Sequence, residues 1–135
     1  ISRSKNPFTF DSSWFIHGPL DVDKMNRASA LLPGYSDFTS FSRLHSGNKT
    51  NICKVFSAVW ETEGDNLIFT IRADRFLRNM VRALTGTIID VGKGKTSPEE
   101  FERIIRAKDR GMAGMSAPAR GLFLADVEYP EEIFV

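Results

Sequence analysis

Three arginines at helical spacing, Arg75, Arg78 and Arg82, are the residues in this sequence best placed to do chemistry. At about 100° per residue they share a sector of about 60°, while Phe76, Leu77, Met80 and Leu84 take the other side. Like charges along one face repel, so the stripe calls for an anionic partner, either nucleic-acid phosphates or carboxylates from elsewhere in the protein. The plain alternative is a solvated helix face. Arg82 weighs against it, because it lies inside an otherwise apolar segment, where a charge without a partner is costly. No residue in the sequence stands out as that partner. Gly86 projects onto the same face one turn later and leaves room for a close approach to the backbone. A second basic group, Arg43, His45 and Lys49, sits in a polar, glycine-containing stretch that reads as a loop able to meet phosphate.

Other chemistries find less support. Cys53 is the only cysteine, so it forms no internal disulfide, and no cysteine or clustered histidine lies at metal-ligand spacing. It reads as a thiol in a strand. His17 and His45 lack the carboxylate spacing of a catalytic pair and read as structural or surface residues. Gly92-Lys93-Gly94-Lys95 has neither the glycine spacing nor the following hydroxyl of a phosphate-binding loop, and reads as a helix stop. Trp14, Trp60, Phe69 and Phe123 occupy alternating patterns that suit a core better than base-stacking platforms.

The elements that position these residues follow from periodicity. Asp21 is a plausible N-cap, and Val22, Met25, Ser29 and Leu32 follow at helical spacing until Pro33-Gly34. The segment 37–41 is too short and mixed to separate helix from loop. Alternation over 53–60 and again over 66–72, with Gly64-Asp65 between, predicts a β-hairpin. From Arg75 to about Asp90 the pattern turns helical, with Phe76, Met80, Leu84 and Ile88 four apart. Ser97-Pro98-Glu99-Glu100 reads as a capping box opening a helix that runs to about Lys108, its buried stripe formed by Phe101, Ile104 and Ile105. After a run of small residues, 122–129 alternates as a last strand. The order helix, two strands, two helices, strand predicts an α+β domain with helices packed on one face of an antiparallel sheet.

The 135 residues suit one domain, with no internal repeat, and 41% hydrophobic with 26% charged residues excludes disordered and fibrous classes. No apolar run approaches a membrane span and no signal core opens the chain, so an intracellular location is expected. The start at Ile1 looks like a chain entered midway. Net charge is only +1, but 68–110 holds ten Lys/Arg against six Asp/Glu, whereas 111–135 holds one against four. That asymmetry permits a phosphate-facing surface.

Taken together, several blocks resemble the TruA-type tRNA pseudouridine synthases in order and spacing. They are Asp37-Phe38-Thr39-Ser40-Phe41, Arg75-Phe76-Leu77-Arg78-Asn79-Met80-Val81-Arg82, Gly86, Val91-Gly92, Lys108-Asp109-Arg110, and Ala117-Pro118-Ala119-Arg120-Gly121-Leu122-Phe123-Leu124. The resemblance covers 7–130 and implies a pseudouridine synthase-like half, the C-terminal domain of a cytoplasmic isomerase that acts on the tRNA anticodon stem-loop. It also implies an aspartate as catalyst, no cofactor, no metal and a homodimeric parent. On this reading Arg82 pairs with the catalytic aspartate, Leu122 packs under the target base with Gly121 letting the backbone approach, and Arg75 and Arg78 contact phosphates. The family's Gly-Arg-Thr-Asp motif and its stacking tyrosine are not in this sequence, so an N-terminal domain must supply them and the fragment alone is expected to be inactive. A non-catalytic RNA-binding module and a dimerisation domain are the competing expectations.

Overall fold

The structure is a computed structural model that describes residues 16, 18–42, 51–64 and 66–118. The predicted strand at 122–129 and the basic loop at 43–50 lie outside the described residues, as do Trp14, His17 and Phe123.

The first helix, α1, spans Val22–Ser29, and its predicted cap is present: Asp21 accepts the Lys24 amide at 3.1 Å. It stops short of Leu32, which enters a 3₁₀ turn at Leu32–Gly34 where Pro33 cannot continue a helix. Ser29 faces inward, donating to the Met25 carbonyl (2.9 Å) and accepting from Trp60 Nε1 (3.0 Å).

The hairpin forms as β1, Val55–Glu63, and β2, Asn66–Ala73, antiparallel, with Glu63 opposite Asn66 and Gly64 at φ +59 in the turn. It is longer than predicted, because Glu61–Glu63 continue the ladder rather than entering the turn. The alternation also breaks once, where a bulge between Val55 and Ser57 makes Phe56 the extra residue. Val55, Ala58 and Trp60 therefore all turn inward despite their mixed parity, while Phe56 and Val59 are exposed. Trp60 stacks on its cross-strand partner Phe69, ring centroids 4.4 Å apart. The side chain of Asn26 on α1 takes both backbone groups of Trp60, accepting its N–H at 2.7 Å and donating to its carbonyl at 3.1 Å. The helix thus covers the polar edge of β1 at that point. Both aromatics belong to the core, as their alternation implied.

Helix α2 spans Met80–Gly92 and α3 spans Pro98–Ala107. In α3 the capping box is complete and Phe101, Ile104 and Ile105 are buried. In α2 Met80, Leu84 and Ile88 are fully buried, and Gly92 lets Met25 of α1 press against the backbone where the two helices meet. Helices and the inward hairpin face share one core, which makes the domain α+β with its helices on one side of the antiparallel pair. Cys53 is buried just ahead of β1 rather than within it, its Sγ 3.8 Å from Met80 Sδ.

The predicted start of α2 is wrong by five residues. Asp74 is tied back to the sheet, its N–H on the Lys54 carbonyl (2.9 Å) and its carboxylate accepting the Lys54 amide (2.8 Å). The chain then leaves the sheet through a connector that buries Leu77 and exposes Phe76, and Asn79 adopts a left-handed conformation at φ 68 before the helix begins. Arg75 and Arg78 precede the helix, so the expected three-arginine face on one helix does not form.

Candidate active-site arginine and its surroundings

Arg82 occupies the first turn of α2 and is half-buried. Its Nε donates to the Ala117 carbonyl at 2.7 Å, and the Ala117 N–H donates back to the Arg82 carbonyl at 2.9 Å. The partner that the sequence did not nominate is therefore a main-chain carbonyl, which no side-chain pattern announces. Among the described residues no carboxylate lies within ion-pair distance of Arg82. With Nε engaged, the two terminal amino groups remain as a fork of the kind that binds a carboxylate end-on.

Ala117 belongs to a strap of small residues, 113–118, laid over α2. Gly86 has no side chain because the strap runs there: a Cβ would collide with the Met115 carbonyl oxygen. The close approach expected at Gly86 is thus made by the chain itself. Next along, the Gly114 N–H donates to Thr87 Oγ1 at 3.0 Å. Asn79 Nδ2 donates to Ser116 Oγ at 2.7 Å, and Arg110 reaches the same oxygen with one amino group (3.0 Å) and the Gly114 carbonyl with the other (2.9 Å).

Arg110 is in turn placed by the residues before it. Lys108 ends α3 in a left-handed conformation (φ 52), and its ammonium stands 3.8 Å from the Asp37 carboxylate. The Asp109 N–H donates to Ser40 Oγ at 2.9 Å, and that hydroxyl donates to the Ile104 carbonyl at 2.6 Å. Asp37 also accepts the N–H and hydroxyl of Thr39, fixing the 3₁₀ turn Thr39–Phe41. The blocks 37–41, 79–86, 108–110 and 114–117 are scattered along the chain but joined by one run of polar contacts that ends on Arg82.

Arg75 and Arg78 are exposed, and Arg75 donates weakly to the Ile52 carbonyl at 3.5 Å. Leu122, Arg43, His45 and Lys49 lie outside the described residues. Arg110, Asn79 and Ser116 were given no role from sequence. A basic residue between a helix end and a run of small residues was the available signal.

Fold and site together define an α+β unit in which Arg82 is half-buried and braced by the backbone carbonyl of Ala117. A family described as tRNA pseudouridine synthase matches residues 28–130, and the chain belongs to this family. It is 54% identical over 135 residues to the tRNA pseudouridine synthase A of Bacteroides fragilis, covering 99% of this chain and 54% of that protein. It is 51% identical over 134 residues to the protein of that name from Parabacteroides distasonis (99% and 53%). With the Bacillus licheniformis protein it shares 42% over 131 residues (96% and 53%). The chain spans about half the length of the curated relatives it matches.

Proposed function

We propose that this chain is the C-terminal half of a cytoplasmic tRNA pseudouridine synthase, supplying Arg82 to an aspartate delivered by the N-terminal half. The observation that carries this reading is Arg82 itself: half-buried, held at Nε by a carbonyl, and with no carboxylate in ion-pair range among the described residues. A guanidinium about 4–6 Å from a carboxylate lowers its pKa and fixes its direction, as an ionised aspartate at the sugar of a flipped uridine requires. The reaction breaks the bond from the base nitrogen to the sugar, forms one from a base carbon to the sugar, and moves the proton of that carbon off while the freed nitrogen takes one up. Family membership and the family names of the relatives support the substrate class, tRNA. Exposed Arg75 and Arg78 are proposed phosphate contacts, and Leu122 the apolar wall under the target base. The anticodon stem-loop as target and a homodimeric parent belong to the same proposal.

Replacing Arg82 by Ala in the full-length protein tests it. The single-turnover rate of pseudouridine formation is expected to fall on the order of a hundredfold or more, as when one preorganised donor is lost, while tRNA affinity stays near that of the parent. Loss of affinity alone would identify an RNA-binding module, and a change of mass in solution a dimerisation domain. The chain by itself, incubated with an anticodon-arm RNA, is expected to yield no pseudouridine.

A further inference from the structure

We propose that Arg110 is a positioning residue for Arg82, acting through the strap. This rests on the reading that Arg82 orients a catalytic carboxylate, and extends it to a residue that touches neither the carboxylate nor RNA.

The strap forms neither helix nor strand and has no partner strand among the described residues, so its polar groups are met by side chains and by the Arg82 carbonyl. Thr87 takes the Gly114 N–H, and Arg110 takes the Gly114 carbonyl and the Ser116 hydroxyl. Arg82 takes both polar groups of Ala117, one peptide further on. Arg110 is the only described residue whose side chain bonds two separate points of the strap, and both lie within three residues of the carbonyl that holds Arg82 Nε. Without it the Gly114 carbonyl loses its donor and Ser116 keeps only Asn79. The strap is then held to α2 only by Thr87, Asn79 and Arg82 itself, and as it loosens the Ala117 carbonyl shifts with it. Arg82 keeps its place on the helix but loses the bond that sets the plane of its guanidinium. A planar, two-pronged donor misdirected by even about 1 Å loses much of its effect on the reacting group, on the order of a hundredfold in rate. Binding of RNA is not touched, because both bonded Arg110 amino groups point into the protein's own backbone and hydroxyl. The left-handed Lys108 and the Asp109–Ser40 bond serve the same end, launching Arg110 from a fixed point at the end of α3.

The test is a double-mutant cycle in the full-length protein, read by single-turnover rate and tRNA Kd with Arg110→Ala, Arg82→Ala and the pair. Arg110→Ala is expected to slow turnover on the order of a hundredfold with an unchanged Kd, and the pair to be no slower than Arg82→Ala alone. Arg110→Lys, which reaches one acceptor at a time, is expected to restore part of the rate. Ser116→Ala removes the shared hydroxyl yet leaves the Arg110–Gly114 bond, so it gives a smaller loss of the same kind should Arg110→Ala fail to fold. A parent-like rate for folded Arg110→Ala, a loss that falls on Kd, or effects that multiply in the pair would each overturn the proposal. If Arg82→Ala itself turns over normally, the proposed function fails with it; if Arg82→Ala is slow and Arg110→Ala and Ser116→Ala are normal, only this inference does.

Discussion

Helices α2 and α3 start in opposite ways, although each follows a polar turn. At α3 everything is local: Ser97 Oγ accepts the Glu100 amide at 3.0 Å, Glu100 reaches back to the Ser97 N–H at 3.3 Å, and Pro98 presets the first turn. At α2 no side chain caps the start locally, and the Met80 N–H turns back only to the Leu77 carbonyl at 3.0 Å. Asn79 makes no cap, sits at a left-handed φ, and sends its amide 37 residues along the chain to Ser116. One helix carries its own start signal, while the other depends on a strap from a distant part of the chain. The arginine proposed for catalysis lies on the dependent helix, where its orientation can be set by a distant residue.

Gly86→Ala is the strongest way to break this contrast. In a self-sufficient helix, alanine in place of an interior glycine gains about 1 kcal/mol. Here the new methyl meets the Met115 carbonyl, a backbone atom that cannot swing aside as a side chain can. The expected outcome is a net loss of about 2 kcal/mol in denaturant unfolding, with the strap displaced. A gain in stability would mean that the strap does not bind α2 as tightly as the geometry requires.

The same contrast explains what could be read from sequence. Asp21, the hairpin turn, Ser97 and the stripe of α3 are signals within a few residues of what they control, and each was legible. The start of α2 was not, because Phe76, Met80, Leu84 and Ile88 keep a perfect helical period across a segment whose first part is pulled straight by Asp74 and by burial of Leu77. The burial this period implies is met by Met80, Leu84 and Ile88, but not by Phe76, which is exposed beside a buried Leu77, so spacing alone shows neither where the backbone becomes helical nor which residue turns inward before it does. At Phe56 a bulge added one residue and reversed the alternation, again without any local mark. Arg82 itself was found from its setting, but its partner is a carbonyl, and main-chain acceptors are the same at every position of a sequence.

Asn79 and Ser97 sharpen the comparison by substitution at the two helix starts. Asn79→Ala loses the bond to Ser116 and forces a Cβ-bearing residue without a polar side chain into the left-handed region, together about 2 kcal/mol. Asn79→Gly keeps that conformation at no steric cost, so it is expected to lose only about half as much. Ser97→Ala removes one cap bond, about 1 kcal/mol, and is expected to leave the single-turnover rate of the full-length protein unchanged. Thermal unfolding and the rate assay on the three variants read these out. Equal losses for Asn79→Ala and Asn79→Gly would show that backbone conformation contributes nothing at the start of α2.

The smallest expected effect separates the two starts by pH. Cys53 packs beneath the first residue of α2, and burial pushes its thiol above the ordinary value, with Arg75 opposing in part. The unfolded chain therefore releases this proton first as pH rises. The thiol's contribution is complete below the ordinary thiol pKa and declines above it, up to the raised value of the folded state. The stability difference between the parent and Cys53→Ala should accordingly shrink from about pH 8 to about pH 9.5, a window below the range where tyrosine ionises. Tyr35 is raised as well, by its bond to Glu102, and so stays outside that window. Ser97 carries no titrating group, so the effect of Ser97→Ala should be flat over the same range. Parallel slopes for the two variants would mean that the thiol ionises as easily in the folded chain as in the unfolded one, and that the packing under α2 is not dry.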